Sequence, residues 1–414
     1  MRLSSLLLTV TLLLCVSFCS AAVAQEPNWN QFRGPNHNNH AFSKNLLKEW
    51  PQEGPKLLWK IDTLGAGFSN LAFYDDKIFT LGDFGPECFA LAYDLKTGKQ
   101  LWKTSIDKSS SPGGYVGPRS TPAVDGENVF VFSQNGEFAC LDFATGEIKW
   151  GGHVIEELGG KYMSGWGYAP SPIFDGKNVI LPIGGNEGTL IAFTKDGQRP
   201  WRSAELKDPA PYCSAVPAVI QGVPQFVLMS ANGVSGIDKT NGKVLWTTPR
   251  KSVPAVCSDP IVKDDFVFVS AAYRLGSHAY NIVKEGDQLK AEEAYAEGQW
   301  ENHHGGIVLV GDFIYFTTNR ELFCIELKTG RVAWKERCVG KGSITFADGN
   351  LIVRSEGADG TIALVEANPE KYVEKGRFNQ PDRSEKQSWT YPVIVNGKMY
   401  IRDQNVLLCY DLEK

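Results

Sequence analysis

Paired cysteines, long apolar runs and excess positive charge are all scarce in this chain of 414 residues. Its nine cysteines include no adjacent pair, no CxxC or CxxCH and no zinc-type spacing. Two of them, Cys15 and Cys19, sit near the start, and an odd seven are spread over the rest. That pattern excludes a disulfide scaffold, a c-type haem attachment and a sequence-local zinc module. Cys140, Cys324 and Cys409 recur in Ala-Cys-Leu-Asp, Phe-Cys-Ile-Glu and Leu-Cys-Tyr-Asp, where a small buried filler suffices. Net charge is −5, and no basic cluster is interleaved with aromatics, which disfavours nucleic acid and anionic lipid as partners.

Only one apolar run stands out, residues 6–16, and it is short of a membrane span. Arg2 precedes it, and Ala22-Val23-Ala24 follows before Gln25. Residues 1–24 therefore have the form of a secretory signal cleaved after about Ala24, which places the mature chain in the periplasm or outside the cell with no transmembrane span. Cys15 follows Leu14 and Cys19 follows Phe18, so neither has the small neighbours of a lipid-attachment site.

Glycine and tryptophan, by contrast, are plentiful, 42 and 11 residues. They recur together. Asp-Leu-Lys-Thr-Gly-Lys-Gln-Leu-Trp at 94–102 returns at 142–150, and looser copies end at Trp201, Trp246 and Trp334. In all five the glycine stands four residues before the tryptophan. The glycine supplies a positive φ for the turn, and the strand after it carries a large aromatic. One such hairpin cannot bury its indole, whereas stacked copies can.

A second motif, a short apolar strand just after a turn, occurs eight times. The copies lie at 78–81, 129–132, 179–181, 226–229, 266–269, 313–316, 351–353 and 399–401, their starts 38 to 51 residues apart. Turn signals such as Asp125-Gly126, Gln221-Gly222 and Asn396-Gly397 precede nearly all of them. No helical period persists. Four short strands per unit, repeated eight times, predict an all-β, eight-bladed β-propeller over residues 55–414. Residues 25–54, which open with Trp29-Asn30-Gln31-Phe32-Arg33-Gly34, are expected to lie extended over it. His37 and His40 are expected to be solvated there. The last blade lacks its tryptophan-bearing strand, while Leu57-Leu58-Trp59 is an orphan of that kind. The N-terminal strand at 57–61 is thus predicted to complete the final blade. Two units have no tryptophan at the expected place, one within 289–295 and one with Phe378 instead, and these blades are expected to be looser.

The Leu-Asp-x-x-Thr-Gly-x-x-x-Trp pattern at 141–150, with its kin at 94–102 and 327–334, resembles the repeats of the pyrroloquinoline-quinone (PQQ)-type propeller superfamily. That superfamily holds quinoprotein dehydrogenases and also non-enzymatic members such as BamB-type outer-membrane assembly factors. The resemblance implies the fold; function must be argued from the site. Quinoprotein dehydrogenases carry adjacent cysteines, a calcium held by Glu, Asn and Asp, and an Asp base, and none of these can be matched here. The tryptophans, Trp59, Trp102, Trp150, Trp201, Trp246 and Trp334, are therefore assigned to packing between blades.

In a propeller the segments leading into each inner strand form a funnel. Here they supply Arg119, Tyr168, Cys213, Cys257, His303, His304, Lys341 and Trp389 as candidate ligand-binding residues, a mixture suited to a small ligand. Neighbours along a strand point to opposite faces, so at most one of His303 and His304 should face the channel, as a hydrogen-bonded structural histidine. Cys213 and Cys257 hold equivalent places in consecutive units, as fillers or as a cross-funnel pair, and the short Cα reach of a disulfide favours fillers. No catalytic residue, metal ligand or cofactor is assigned. The expected function is a monomeric, non-catalytic extracytoplasmic scaffold presenting a funnel and loop face to a protein or small molecule. The alternatives are a divergent oxidoreductase using PQQ and Ca2+ and a BamB-like assembly factor.

Overall fold

A computed structural model describes residues 28–414. The signal expected at 1–24 lies outside the described residues. Among those residues no helix is long and apolar enough to cross a membrane. The strands form eight separate antiparallel sheets of four, one per repeat, arranged as the predicted eight-bladed propeller. Blade 1 runs from Ala72–Tyr74 to Gln100–Lys108 and blade 2 from Ala123–Val124 to Ile148–His153. Blade 3 runs from Ile173–Phe174 to Trp201–Arg202 and blade 4 from Val216–Ile220 to Val244–Pro249. Blade 5 spans Ile261–Lys263 to Gln288–Glu297, and blade 6 Ile307–Val310 to Val332–Arg337. Blade 7 spans Gly342–Ala347 to Glu374–Asn379, and blade 8 begins at Val393–Val395.

The second strands are buried along most of their length, Asn128–Phe132 and Asn178–Pro182 at every residue. Each lies within a sheet covered on both faces by neighbouring blades, which is why it is a continuous apolar run and not an alternating one. The outer strands face water on one side. Val332–Arg337 buries Trp334 and exposes most of the rest. Three hairpins joining first to second strands, at Gln221-Gly222, Asp348-Gly349 and Asn396-Gly397, use positive φ at both central positions, matching the twist of the strands they connect.

Trp102, Trp150 and Trp201 each pack over the glycine turn of the following blade. A Cβ on Gly146 would stand 2.6 Å from the Trp102 indole, one on Gly197 3.0 Å from Trp150, and one on Gly242 2.6 Å from Trp201. Two of these indole N–H groups reach a carbonyl beside that turn: Trp102 donates to Phe143 at 3.3 Å and Trp150 to Lys195 at 2.8 Å. Trp246 differs, donating within its own blade to Gln225 at 2.6 Å. In the two units without the motif tryptophan, other aromatics take its place. In blade 5 Tyr295 lies over Gly330, and its hydroxyl donates to the Leu327 carbonyl at 2.6 Å, so a phenol reproduces both the indole's packing and its bond. In blade 7 Phe378 packs against Trp50 and Tyr410, with ring centroids 5.5 and 5.2 Å apart. The position is refilled in both.

The ring closes as predicted. Leu57–Ile61 pairs antiparallel with Val406–Asp411, setting Leu57 opposite Tyr410 and Trp59 opposite Cys409. Two buried arginines tie blade 8 to its neighbours. Arg402 of blade 8 donates to Ser69 and Leu81 carbonyls and the Thr80 hydroxyl of the blade 1 side at 2.5–2.8 Å. Arg354 of blade 7 donates to the Thr390 hydroxyl at 2.7 Å and the Arg402 carbonyl at 2.8 Å.

The N-terminal segment does more than lie over the body. Its backbone and side chains bond inner strands around the ring: Trp29 to Phe73, Asn30 to Val124, Gln31 to Phe174, and Ala41 to Phe346, all at 2.7–2.8 Å. Arg33 donates to the Ile307 carbonyl at 2.6 Å and stands 3.5 Å from Asp259, both groups buried. A segment bonded to blades on opposite sides crosses the channel and closes one end of it. The expectation of solvated histidines is corrected accordingly. His37 is buried beside Gln31, 3.2 Å away, and burial, with Arg33 nearby, lowers its pKa to about 3. His40 packs on Phe346 at 4.7 Å, and burial lowers its pKa to about 4.

Candidate functional site

Against the inner side of this plug the channel holds a cavity of about 170 Å³. Phe32 of the plug contributes to its lining, so the cavity is a pocket and not a through-channel. The segments entering the inner strands of seven blades line the rest, because each ends a short loop at the ring's narrow mouth. Their side chains are mostly aromatic: Phe68, Tyr115, Trp166, Tyr212, Trp389 and Tyr391, with Tyr273 from a blade 5 hairpin. The rings touch in sequence. Phe68 stacks on Trp389 at 4.2 Å, Trp389 lies 4.6 Å from His304, His304 stacks on His303 at 3.6 Å, and His303 meets Tyr273 edge-on at 5.1 Å.

Of the eight candidate residues, Trp389 and four others line the cavity and three do not. Arg119, Cys257, His303 and His304 line it. Lys341 stands behind the wall, 3.2 Å from Glu356, whose other contact is His304 at 3.3 Å. Tyr168 does not reach the cavity. It is buried between blades, donating to the Ile183 carbonyl at 2.9 Å. Cys213 does not reach it either, its thiol donating to the Met229 carbonyl at 3.2 Å. All seven described cysteines are free, so Cys213 and Cys257 are not a pair, and only Cys257 faces the ligand space.

Both histidines line the cavity, contrary to the expectation that one would point away. Residues 301–304 are not in a strand, so alternation does not govern them. The dipeptide is held from both sides. Ser258 donates to the His303 carbonyl at 3.1 Å, and Tyr391 to that of His304 at 2.9 Å. Burial lowers the pKa of His303 to about 2, and burial also lowers that of His304 despite its bond to Glu356. Burial pushes the Cys257 thiol up to about 12. The site thus presents two neutral imidazoles and a protonated thiol.

Among the described lining residues Arg119 is the one cation. Its Nη2 donates to the Pro112 and Tyr115 carbonyls, each at 3.2 Å, while Nη1 is buried with no partner among the described residues. No carboxylate pairs with it there, and burial lowers its pKa to about 10. Asn70 Oδ1 and His303 Nε2 in the lining are also buried without partners among those residues. Pocket polar atoms of this kind are normally satisfied by water or ligand. Calcium is a poor fit to this lining. A hard cation takes six to eight oxygen ligands, and among the described lining residues none is a carboxylate.

Sequence reading missed Phe32, Tyr115, Tyr273 and Glu356 as parts of the site. Phe32 was visible in the aromatic opening segment, but its destination depended on the plug. Glu356 follows the second strand of blade 7, where nothing local separates it from other acidic loop residues.

The comparisons agree with this architecture. The family model described as "Outer membrane protein assembly factor BamB" matches residues 87–336. No curated protein sequence is significantly similar. Among solved structures, BamB from Moraxella catarrhalis superposes with TM-score 0.59 at 14% identity, over 86% of this chain and 97% of that one. Quinohemoprotein alcohol dehydrogenase from Comamonas testosteroni gives TM-score 0.66 at 13% identity, over 95% and 82%. The computationally designed Ika8 protein gives 0.59 at 12% identity, over 86% and 99%. At such identities these structures share the fold alone, one that hosts an assembly factor, an enzyme and a design. The family match spans more than half the sequence, and the chain belongs to that BamB-described family within the PQQ-like β-propeller superfamily.

Proposed function

We propose that this protein is a non-catalytic, extracytoplasmic binding propeller, acting as a monomer, whose funnel takes a small flat ligand carrying an anionic oxygen. The observation that carries this reading is the unpaired Arg119 guanidinium set in a dead-end aromatic cavity. Aromatic walls favour a planar apolar body by stacking and burial. A desolvated guanidinium favours a carboxylate or similar oxyanion, since that charge would offset its burial. The extracytoplasmic location is supported by the signal-like start of the sequence and by the family's description.

Binding is tested by tryptophan fluorescence during titration with aromatic carboxylates, 2-naphthoate for example, and with PQQ. Trp389 and Trp166 are the reporters in the cavity. Saturable quenching by the carboxylate is expected, weakened roughly 10- to 100-fold by Arg119→Ala, as for a lost charged hydrogen bond. Equal affinity of wild type and variant would overturn the assignment of Arg119. The alternative, a PQQ-dependent oxidoreductase, predicts alcohol- or sugar-dependent dye reduction with PQQ and Ca2+, and steady turnover there would replace the present reading.

A further inference from the structure

Blades 5 and 6 bring Cys257, His303 and His304 to the same side of the cavity, with one donor atom from each lying within 4.8 Å of the others. Nothing in the sequence spacing marks these as ligands, since 46 residues separate the thiol from the first imidazole. We propose that they form a binding site for a borderline-soft first-row divalent ion, Zn2+ or Cu2+, with an open coordination position facing the cavity.

The donor set decides the class of ion. One thiolate and two imidazoles suit Zn2+ and Cu2+ and do not suit Mg2+ or Ca2+, which want oxygen. Donors around a tetrahedral zinc stand about 3.3–3.7 Å apart, given bond lengths of about 2.0–2.3 Å. The donors, all within 4.8 Å of one another, have about 1.5 Å or less to close to reach that spacing.

Three further features show a supported arrangement. His304 Nδ1 is engaged by Glu356 Oε2 at 3.3 Å, leaving Nε2 as that ring's ligand nitrogen. A carboxylate behind a ligating histidine is the usual way to fix its tautomer and orientation. Lys341, 3.2 Å from the same carboxylate, fixes Glu356 in turn. His303 Nε2 is buried and has no hydrogen-bond partner among the described residues. Finally, Ser258, next to Cys257, bonds Asn302 and the His303 carbonyl, tying the two ligand-bearing segments together. The fourth position opens into a cavity lined by Arg119, where a water or an oxygen of the bound ligand completes the shell.

Binding of the ion displaces the Cys257 thiol proton to solvent and forms a metal–sulfur bond, with no change in oxidation state when the ion is Zn2+. The inference does not depend on the anionic ligand proposed above, and its test uses metal alone. Metal-free protein titrated with Co2+, as a zinc surrogate, should show tetrahedral d–d bands and a thiolate-to-cobalt charge-transfer band at one ion per chain. Cys257→Ser should abolish the charge-transfer band. His303→Ala and His304→Ala should weaken Zn2+ binding at least tenfold. Glu356→Gln should weaken it by about 10- to 100-fold without changing the band positions, as expected of a positioning residue. Parallel titration with Cu2+ and competition between the ions tells which is preferred.

An octahedral cobalt spectrum, or a charge-transfer band that survives Cys257→Ser, would overturn the site. Should the serine variant fail to fold, alkylation of the wild type decides the matter: saturating Zn2+ must protect Cys257 but not Cys338, read by peptide mapping. Equal labelling of Cys257 with and without Zn2+ would also overturn it. Loss of the metal reading leaves the carboxylate titration and its Arg119 dependence standing as a separate result.

Discussion

A buried imidazole such as His37 ties acid stability to a single side chain. Unfolded, it takes up a proton below about pH 6.5. Folded, burial and Arg33 delay this to about 3, with a smaller contribution from Lys239. Between those values the unfolded chain binds more protons, so acid favours unfolding. The contribution of His37 is complete above pH 6.5 and is lost as pH falls toward 3, at up to about 1.4 kcal/mol per unit. His40, also lowered by burial, acts in the same direction. His37→Gln is therefore expected to flatten the dependence of the urea midpoint on pH across this window. An unchanged slope would show that His37 is protonated in the fold. Arg33, which shares this neighbourhood, is the other sensitive residue. Arg33→Ala would strand the Asp259 carboxylate, whose pKa burial raises, at an expected loss of about 3–5 kcal/mol.

Blades are held to one another by an aromatic laid on a glycine. Gly146 has φ +75° and the Trp102 ring 2.6 Å from where a Cβ would stand, so Gly146→Ala meets both backbone strain and overpacking. We expect a loss of about 2 kcal/mol or more. Gly222→Ala provides the contrast, since φ is +74° but no atom lies within 4 Å of its Cβ, leaving only the backbone cost of about 1 kcal/mol. Similar losses at the two positions, measured by urea unfolding, would contradict the packing role of Trp102. Tyr295 permits the same argument in blade 5. Tyr295→Phe keeps the ring over Gly330 and loses only the bond to Leu327, about 1 kcal/mol. Tyr295→Ala also empties the packing site, at about 3–5 kcal/mol.

For the molecule as a whole, the N-terminus performs two separable tasks. Residues 28–54 cross the channel and supply Phe32 to the cavity, while Leu57–Ile61 covers the free edge of Val406–Asp411. A chain beginning at residue 55 should keep a closed ring and lose affinity for the aromatic carboxylate. A chain beginning at residue 62 should also expose an unpaired strand edge, and unpaired edges recruit other chains. Light scattering is expected to show self-association of the shorter chain only. Equal behaviour of the two would mean that pairing at the seam contributes little beside the Arg402 and Arg354 crosslinks.

Local patterning determined the architecture. Glycine four residues ahead of tryptophan, and eight apolar strands each following a turn, are short-range consequences of strand and turn chemistry. They sufficed for the blade number, and the orphan strand at Trp59 sufficed for the closure. Aromatic substitution was harder to see, because Tyr295 does the work of an indole only once Gly330 of the next blade is beside it. The site was legible in part: Arg119, Cys257, His303, His304 and Trp389 were in view as funnel residues, as were Tyr168 and Cys213, which the structure turns away from the cavity. Which side chains face the cavity depends on the rotation of loops outside any strand, where no period applies. The convergence of Cys257 with His303 and His304, and the support of Glu356 behind them, was decided by the tertiary structure alone, because those groups come from three blades and ring closure is what sets blades side by side.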